Sequence, residues 1–262
     1  MRSSFYFRAS ALLGLVCLFC ALCGCAGKKP ATDPEAAKCT AATDGAACAP
    51  EEKLDSLRAK MAMTLVDASG KEQNLDAVLF SVPGKRYRME MTGPMGIGVA
   101  SMLWKEEGWT MVFPTEKLYM EGRGYMVGLF GEPSIPMVNI HQVAGFFDGE
   151  YVPSGVKVEQ ERDSLGMKIV DAVDQFGTRL TYAQKDGLVQ WISRIGRDDK
   201  PEVLRFLGYR QFEGKTLAEK IVFERDGKMF LEMRLKKVTH GKPFSPGTWR
   251  LTVPKSYKPV GG

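Results

Sequence analysis

Six cysteines and two histidines are the residues of this 262-residue chain best suited to nucleophilic or metal chemistry, and their spacing assigns them little of it. Cys17, Cys20, Cys23 and Cys25 crowd into the first 25 residues, Cys39 and Cys48 follow, and no cysteine comes after them. Cys39 and Cys48 either oxidise to a small local disulfide outside the cytoplasm or remain two free thiols in a polar segment. Zinc needs several ligands at short spacing, and neither His141 nor His240 has such a neighbour, so no metal and no cofactor is expected. Gly-x-Ser-x-Gly is absent, as is a phosphate-cradling loop. Met95-Gly96-Ile97-Gly98 is glycine-rich but follows no strand–turn–helix pattern. Asp198-Asp199 falls in a turn and reads as solvated. A carboxylate pair assembled from distant strands leaves no mark in a sequence. A hydrolase is therefore the least favoured function, and no catalytic residue is assigned.

The remaining chemistry is at Cys25. Arg2 and Arg8 precede Ala11–Leu22, an apolar run of about a dozen residues, which suits a signal peptide and is too short to span a bilayer. It ends in Leu22-Cys23-Gly24-Cys25. This resembles the lipobox of bacterial lipoproteins. The resemblance implies cleavage after Gly24, a diacylated Cys25 sulfur at the mature N-terminus, and an anchor that tethers without spanning. Several acyl chains hold a protein at a bilayer where one does so only marginally. Removing residues 1–24 leaves 238, and the net charge of +5 falls to +3 without Arg2 and Arg8. The basic residues are interspersed with acids, so nucleic acid is not an expected partner.

The elements that follow are mostly strands. Residues 26–53 are rich in Ala, Thr, Pro, Asp and Lys and lack aromatics; they cannot bury enough apolar area to offset their ordering entropy, and read as a tether. A folded domain is expected over 54–262. Lys60–Leu65 alternates apolar and polar, Leu75–Val82 reads as a second strand closed by Pro83-Gly84, and Arg86–Met91 alternates most cleanly, with Tyr87, Met89 and Met91 on one face and Arg86, Arg88 and Glu90 on the other. Strands are expected at 98–105, 108–113, 117–121, 156–162, 167–173, 177–183, 188–195, 203–212, 217–225, 228–238 and 247–253. In Met229, Leu231, Met233 and Leu235 another one-faced strand is visible. Tyr125–Phe130 and Val138–Phe147 have helical apolar spacing around Pro133-Ser134-Ile135-Pro136, which predicts two short helices. A sheet of ten or more strands, apolar on one face, must close or be covered. The expected fold is mainly β: an unclosed, strongly curved antiparallel half-barrel whose helices cover an apolar hollow.

The segment Arg86–Gly122 carries a resemblance. An arginine-bearing strand leads into Gly93-Pro94-Met95-Gly96, then a strand and a hairpin ending at Tyr119-Met120-Glu121-Gly122, with Ile135-Pro136 before a helix. This resembles the outer-membrane lipoprotein receptor family LolB and its relatives over roughly 55–145; no motif aligns beyond 150. The resemblance implies a half-barrel with an acyl-binding hollow, and a loop whose apolar tip pushes a lipoprotein into the membrane. Met95 stands where that family has leucine. Pro94, Met95 and Gly96 thus become the candidate membrane- or ligand-contact loop, with Met95 folded back as a cap the plainer alternative.

Ten of the fourteen methionines lie between Met61 and Met137. Methionine re-packs around variable ligands but also fills ordinary cores. Met61, Met63, Tyr87, Met89, Met91, Met102 and Met111 are the cavity candidates. Trp104 and Trp109 flank a hairpin turn. His141 reads as a hydrogen-bonded helix residue. Arg86 and Arg88 either meet anionic headgroups or an acidic carrier, or form a solvated face. The expected function is an outer-membrane, periplasm-facing lipoprotein that binds lipid or the acyl chains of lipoproteins, receives them from a periplasmic carrier, and delivers them to the membrane. Ala26, not Asp, follows Cys25, which by analogy favours outer-membrane sorting. The alternative is a non-carrier envelope protein that uses the fold for protein contacts.

Overall fold

The computed structural model describes residues 56–128, 138–196 and 199–260. The lipobox with Cys25, the tether with Cys39 and Cys48, and the Pro133–Pro136 motif lie outside the described residues.

Two antiparallel meanders make the fold. The first contains β1 (Leu57–Val66), β2 (Glu72–Val82), β3 (Arg86–Thr92), β4 (Gly98–Lys105), β5 (Gly108–Phe113) and β6 (Leu118–Gly122). A connection follows with β7 (Met126–Val127), β8 (Val138–Asn139) and α1 (Ile140–Phe146). The second meander contains β9 (Lys157–Ser164), β10 (Met167–Val173), β11 (Arg179–Lys185), β12 (Leu188–Ile195), β13 (Pro201–Phe212), β14 (Lys215–Arg225) and β15 (Lys228–His240), and β16 (Lys258–Pro259) ends the series. The first strand pairs with the last long one: β1 runs antiparallel to β15, with Met63 opposite Met233 and Leu65 opposite Leu231. The two meanders thereby become one curved sheet of fourteen described strands, not closed into a barrel, with β16 and β9 at its two edges.

Alternation in sequence becomes alternation in burial. On β3, Tyr87, Met89 and Met91 are buried while Arg86, Arg88, Glu90 and Thr92 are only partly so. The same period places Met61, Met63 and Leu65 of β1, Met102 of β4, Met111 of β5 and Leu231, Met233 and Leu235 of β15 in one cluster. The edge strand β9 has no buried face; all eight of its residues are exposed.

Three expectations need correction. The helix expected over Tyr125–Phe130 is not formed where it can be seen: Met126–Val127 pairs with Val138–Asn139 as a two-stranded ladder, leaving α1 as the single α-helix among the described residues. The strand expected at 247–253 is also absent. Pro246–Trp249 forms a short 3-10 turn, with Pro246 at the first position, where its fixed φ fits and its missing N–H is no loss. The apolar alternation of Trp249 and Leu251 is real, but it serves a second core on the outer face, with Val82, Leu103, Phe80 and Phe244.

That second core overturns the solvated reading of Arg86 and Arg88. Arg86 lies over the Trp249 ring, 4.5 Å from its centroid. Arg88 pairs with Glu90 and donates to the carbonyls of Thr248, at 3.1 Å, and Arg250. Charge-assisted hydrogen bonds to a strap are worth about 1.5–3 kcal/mol, so Arg88→Ser is expected to lower stability by that much. Met89→Asp buries an unpaired charge and should cost more than about 4 kcal/mol, or prevent folding. Urea unfolding of both variants checks the order; equal losses would place the two faces of β3 wrongly.

Candidate functional site

The concave face carries a wall of methionine. Met63, Met89, Met91, Met102, Met111 and Met233 surround a hollow of about 20 Å³, lined from the connection side by Val127, Val138, Ile140 and Val143. Every residue lining it is apolar. A hollow of that size holds about one water molecule, so the wall and α1 are in near contact.

Why the helix sits there is a matter of packing. Seven residues are too few to hold a helix in water. Asn139 caps α1, its Oδ1 accepting from the N–H groups of His141 and Gln142. Ile140, Val143, Ala144 and Phe146 are buried along one face. Phe146 meets Phe206 edge-on at 5.4 Å and stacks on Tyr151 at 6.1 Å. Tyr151 Oη accepts from the Ala218 N–H at 2.7 Å, fixing the segment after α1 to β14.

The other side of α1 presents His141 to three rings. Its centroid lies 4.7 Å from that of Trp104, 5.0 Å from Tyr87 and 5.7 Å from Tyr125, each near edge-on. Gly84 N–H donates to Tyr87 Oη, and the phenol and His141 Nδ1 lie 3.0 Å apart. Burial pushes the imidazole below its ordinary pKa, and burial pushes the Tyr87 phenol up. Tyr87 and His141 thus share a hydrogen bond between two neutral groups.

A second hollow, of about 50 Å³, lies on the far side of Val138 and Val143. Its floor includes Leu180, Ile192, Leu204 and Phe223, and polar groups line it too, among them Gln142, Thr178 and the Arg194–Glu202 pair.

Met95 stands apart from both hollows. It is 93% exposed, at φ 62 and ψ 17, in a turn where Gly96 N–H meets Gly93 O at 3.2 Å. The left-handed region costs an ordinary residue roughly 1–2 kcal/mol. Ile97 beside it is also exposed. Pro94 and Gly96 hold the turn, Gly96 at φ 75.

Of the seven cavity candidates, the structure brings Met63, Met89, Met91, Met102 and Met111 to the first hollow. Met61 is buried in the same cluster but does not line the hollow, and Tyr87 lies beneath His141. Sequence reading omitted Met233 and Leu231, although their alternation was visible; what it lacked was the pairing of β15 with β1. Trp104 and Trp109 face each other across β4 and β5. Trp104 Nε1 donates to Gly124 O at 2.6 Å. A Cβ at Gly122 would lie 2.5 Å from the Trp109 ring, which gives the Tyr-x-x-Gly motif a steric reason. Among the described residues no group of His, Cys, Asp and Glu is placed to hold a metal ion, and no helix is long and apolar enough to cross a membrane.

A curved, unclosed antiparallel sheet with an apolar concave face is the LolA/LolB-like fold, and comparison with solved structures agrees. A DUF1329 family protein from Desulfovibrio piger superposes with a TM-score of 0.53 at 11% identity, over 76% of this chain and 91% of that one. A structure described as an outer membrane lipoprotein-sorting protein domain from Vibrio parahaemolyticus gives 0.52 at 12%, over 76% and 90%. A LolA superfamily protein from Nitrosomonas europaea gives 0.52 at 9%, over 76% and 91%. At such identities the likeness concerns the fold. No family model and no curated protein matches the sequence.

His141 sets a pH expectation. Its folded pKa is lowered, so the stability it adds is complete above about pH 6.5 and declines as pH falls through that value. The melting temperature of the wild type should fall more steeply between pH 7 and 5 than that of His141→Gln, whose amide can still bond Tyr87 and does not titrate. Parallel slopes in thermal melts would show that His141 does not set the pH dependence.

Proposed function

We propose that this chain is a lipid-anchored, periplasm-facing protein of the outer membrane that takes acyl chains of lipoproteins or other amphiphiles onto its methionine wall and delivers them to the bilayer. The observation that carries this reading is an all-apolar wall of flexible side chains that shares its hollow with Ile140 and Val143 of α1. The first hollow is too small for an acyl chain, which favours the other reading, a filled core in a non-carrier protein. Packing Ile140, Val143 and Phe146 against the sheet is worth about 5–9 kcal/mol, and fully sheltering some fifteen methylenes of an acyl chain from water about 12 kcal/mol. An acyl chain presented through water therefore competes with these side chains for the wall. Within a bilayer the chain is already sheltered, so re-closure of α1 over the wall favours release. Chain and helix compete for one surface, and direction follows from where the chain can go.

Lipidation at Cys25 would hold the domain where release occurs, with residues 26–53 as its tether and Met95 as its contact with the acyl layer. Met95 is apolar, nearly fully exposed and held in a costly backbone conformation, features that strained functional positions share.

Two measurements test this. Cys25→Ser cannot form the thioether; it should remain unprocessed or appear in the soluble fraction, and carbonate-resistant membrane association like that of wild type would refute the anchor. For transfer, the domain lacking residues 1–52 should carry lipid visible by mass spectrometry and pass it to liposomes. Met95→Glu should leave stability within about 0.5 kcal/mol and slow delivery, since a carboxylate resists the acyl region; Met95→Leu should retain it. Absence of bound lipid, with Met95→Glu as active as wild type, would favour the non-carrier reading.

A further inference from the structure

The two hollows touch. Val138 and Val143 line both, Val143 from α1 and Val138 from the strand before it. Their linings differ in kind. No residue of the methionine hollow has a polar side chain. Around the second hollow, Asn139, Gln142, Thr178 and Arg194 supply polar hydrogens above the apolar floor.

We propose that the two hollows form one oriented site for a single-chain amphiphile with an uncharged ester or amide head. The methyl end lies among the methionines, and the head lies in the second hollow between the turn after β10 and the strands β12 and β13. This rests on the acyl-binding reading and adds to it a direction and a head-group class.

The direction follows from hydrogen-bonding capacity. An ester carbonyl placed against the methionines would lose its water and find no donor, a penalty that buried polar groups rarely bear. In the second hollow it meets the Gln142 amide and the Thr178 hydroxyl, neither of which has another role in the lining. The asymmetry of size agrees: about 50 Å³ for the head end against about 20 Å³ for the methyl end.

The head-group class follows from charge. Arg194 is the one cation among the described lining residues, and its Nε is 2.9 Å from Glu202. Glu224 meets Arg205 Nε at 2.9 Å. Asp174 Oδ1 accepts from the N–H groups of Phe176 and Thr178, both at 2.8 Å. An anionic head would meet three carboxylates and a guanidinium already engaged. A cationic head would lie against the Arg194 guanidinium. An uncharged head disturbs none. Phe176 and Ile195, each more than half exposed, flank these same lining residues and give the mouth an apolar lip.

The experiment uses the full lipidated protein in phosphatidylcholine vesicles, with palmitoyl monoglycerides carrying a photoreactive diazirine either near the methyl end or near the ester. Peptide mapping after illumination should find the methyl-end probe on β3, β4 or β5 and the ester-end probe on β13 or β14, near Leu204 and Phe223. The ester-end probe as a free fatty acid, which carries a charge, should label those strands several-fold less. Leu204→Trp fills the second hollow and should reduce ester-end labelling of β14 several-fold. Should that variant fail to fold, Gln142→Leu removes the amide and should weaken ester-end labelling likewise. Reversed positions, both probes on the methionine wall, equal labelling by acid and glyceride, or no effect of a folded variant would each overturn the proposal while leaving acyl binding intact. Labelling of neither hollow would overturn acyl binding as well.

Discussion

The interior depends on the pairing of β1 with β15. Each meander alone would turn a stripe of large apolar residues toward water. Joined edge to edge, with Met63 opposite Met233, they share one concave face and one core. The register decides the outcome, because a slip of one residue would turn every buried methionine on β1 to the other face. A bulge at Lys60 and Met61 takes up the one irregularity in this ladder without disturbing the pairs that form the wall.

A single seven-residue helix against so large a sheet is an unequal partner. It gains little from its own hydrogen bonds and is held by Ile140, Val143 and Phe146 on one side and by the ring cluster around His141 on the other. Those contacts are local and few compared with the strand ladders. Local opening of such an element costs much less than global unfolding. Methionine suits the surface beneath it, since an unbranched side chain adapts to a departing helix or an arriving chain where leucine or valine would leave voids.

Much of the fold was legible because period-two alternation is a strong signal wherever one face is buried. Tyr87, Met89 and Met91 against Arg86, Arg88 and Glu90 gave both the strand and its faces. The alternation at Trp249 and Leu251 misled, because it marks burial against the outer face of the sheet and carries no information about ladder bonds. Tyr125–Phe130 misled because short apolar runs do not distinguish helix from strand. Arg88 seemed solvated because nothing local announces a strap that arrives 160 residues later. The methionine wall was half visible: its first-meander members share a motif-bearing segment, whereas Met233 belongs through a long-range pairing. The second hollow was invisible, since Leu180, Ile192, Leu204 and Phe223 are ordinary alternating strand residues until α1 is laid beside them.

An unclosed sheet has two ends at which another sheet can continue. At β9 the backbone groups on the outer side have no neighbouring strand among the described residues, yet five of its eight residues, Lys157, Glu159, Glu161, Arg162 and Asp163, are charged and exposed. At the other end β16 brings Pro259, which lacks the N–H that a further strand would need. Charge on one edge and proline on the other are devices that keep strands from adding indefinitely. For a chain we propose is crowded two-dimensionally at a membrane, they allow the open shape that a removable ligand requires without making each molecule the template for a fibre.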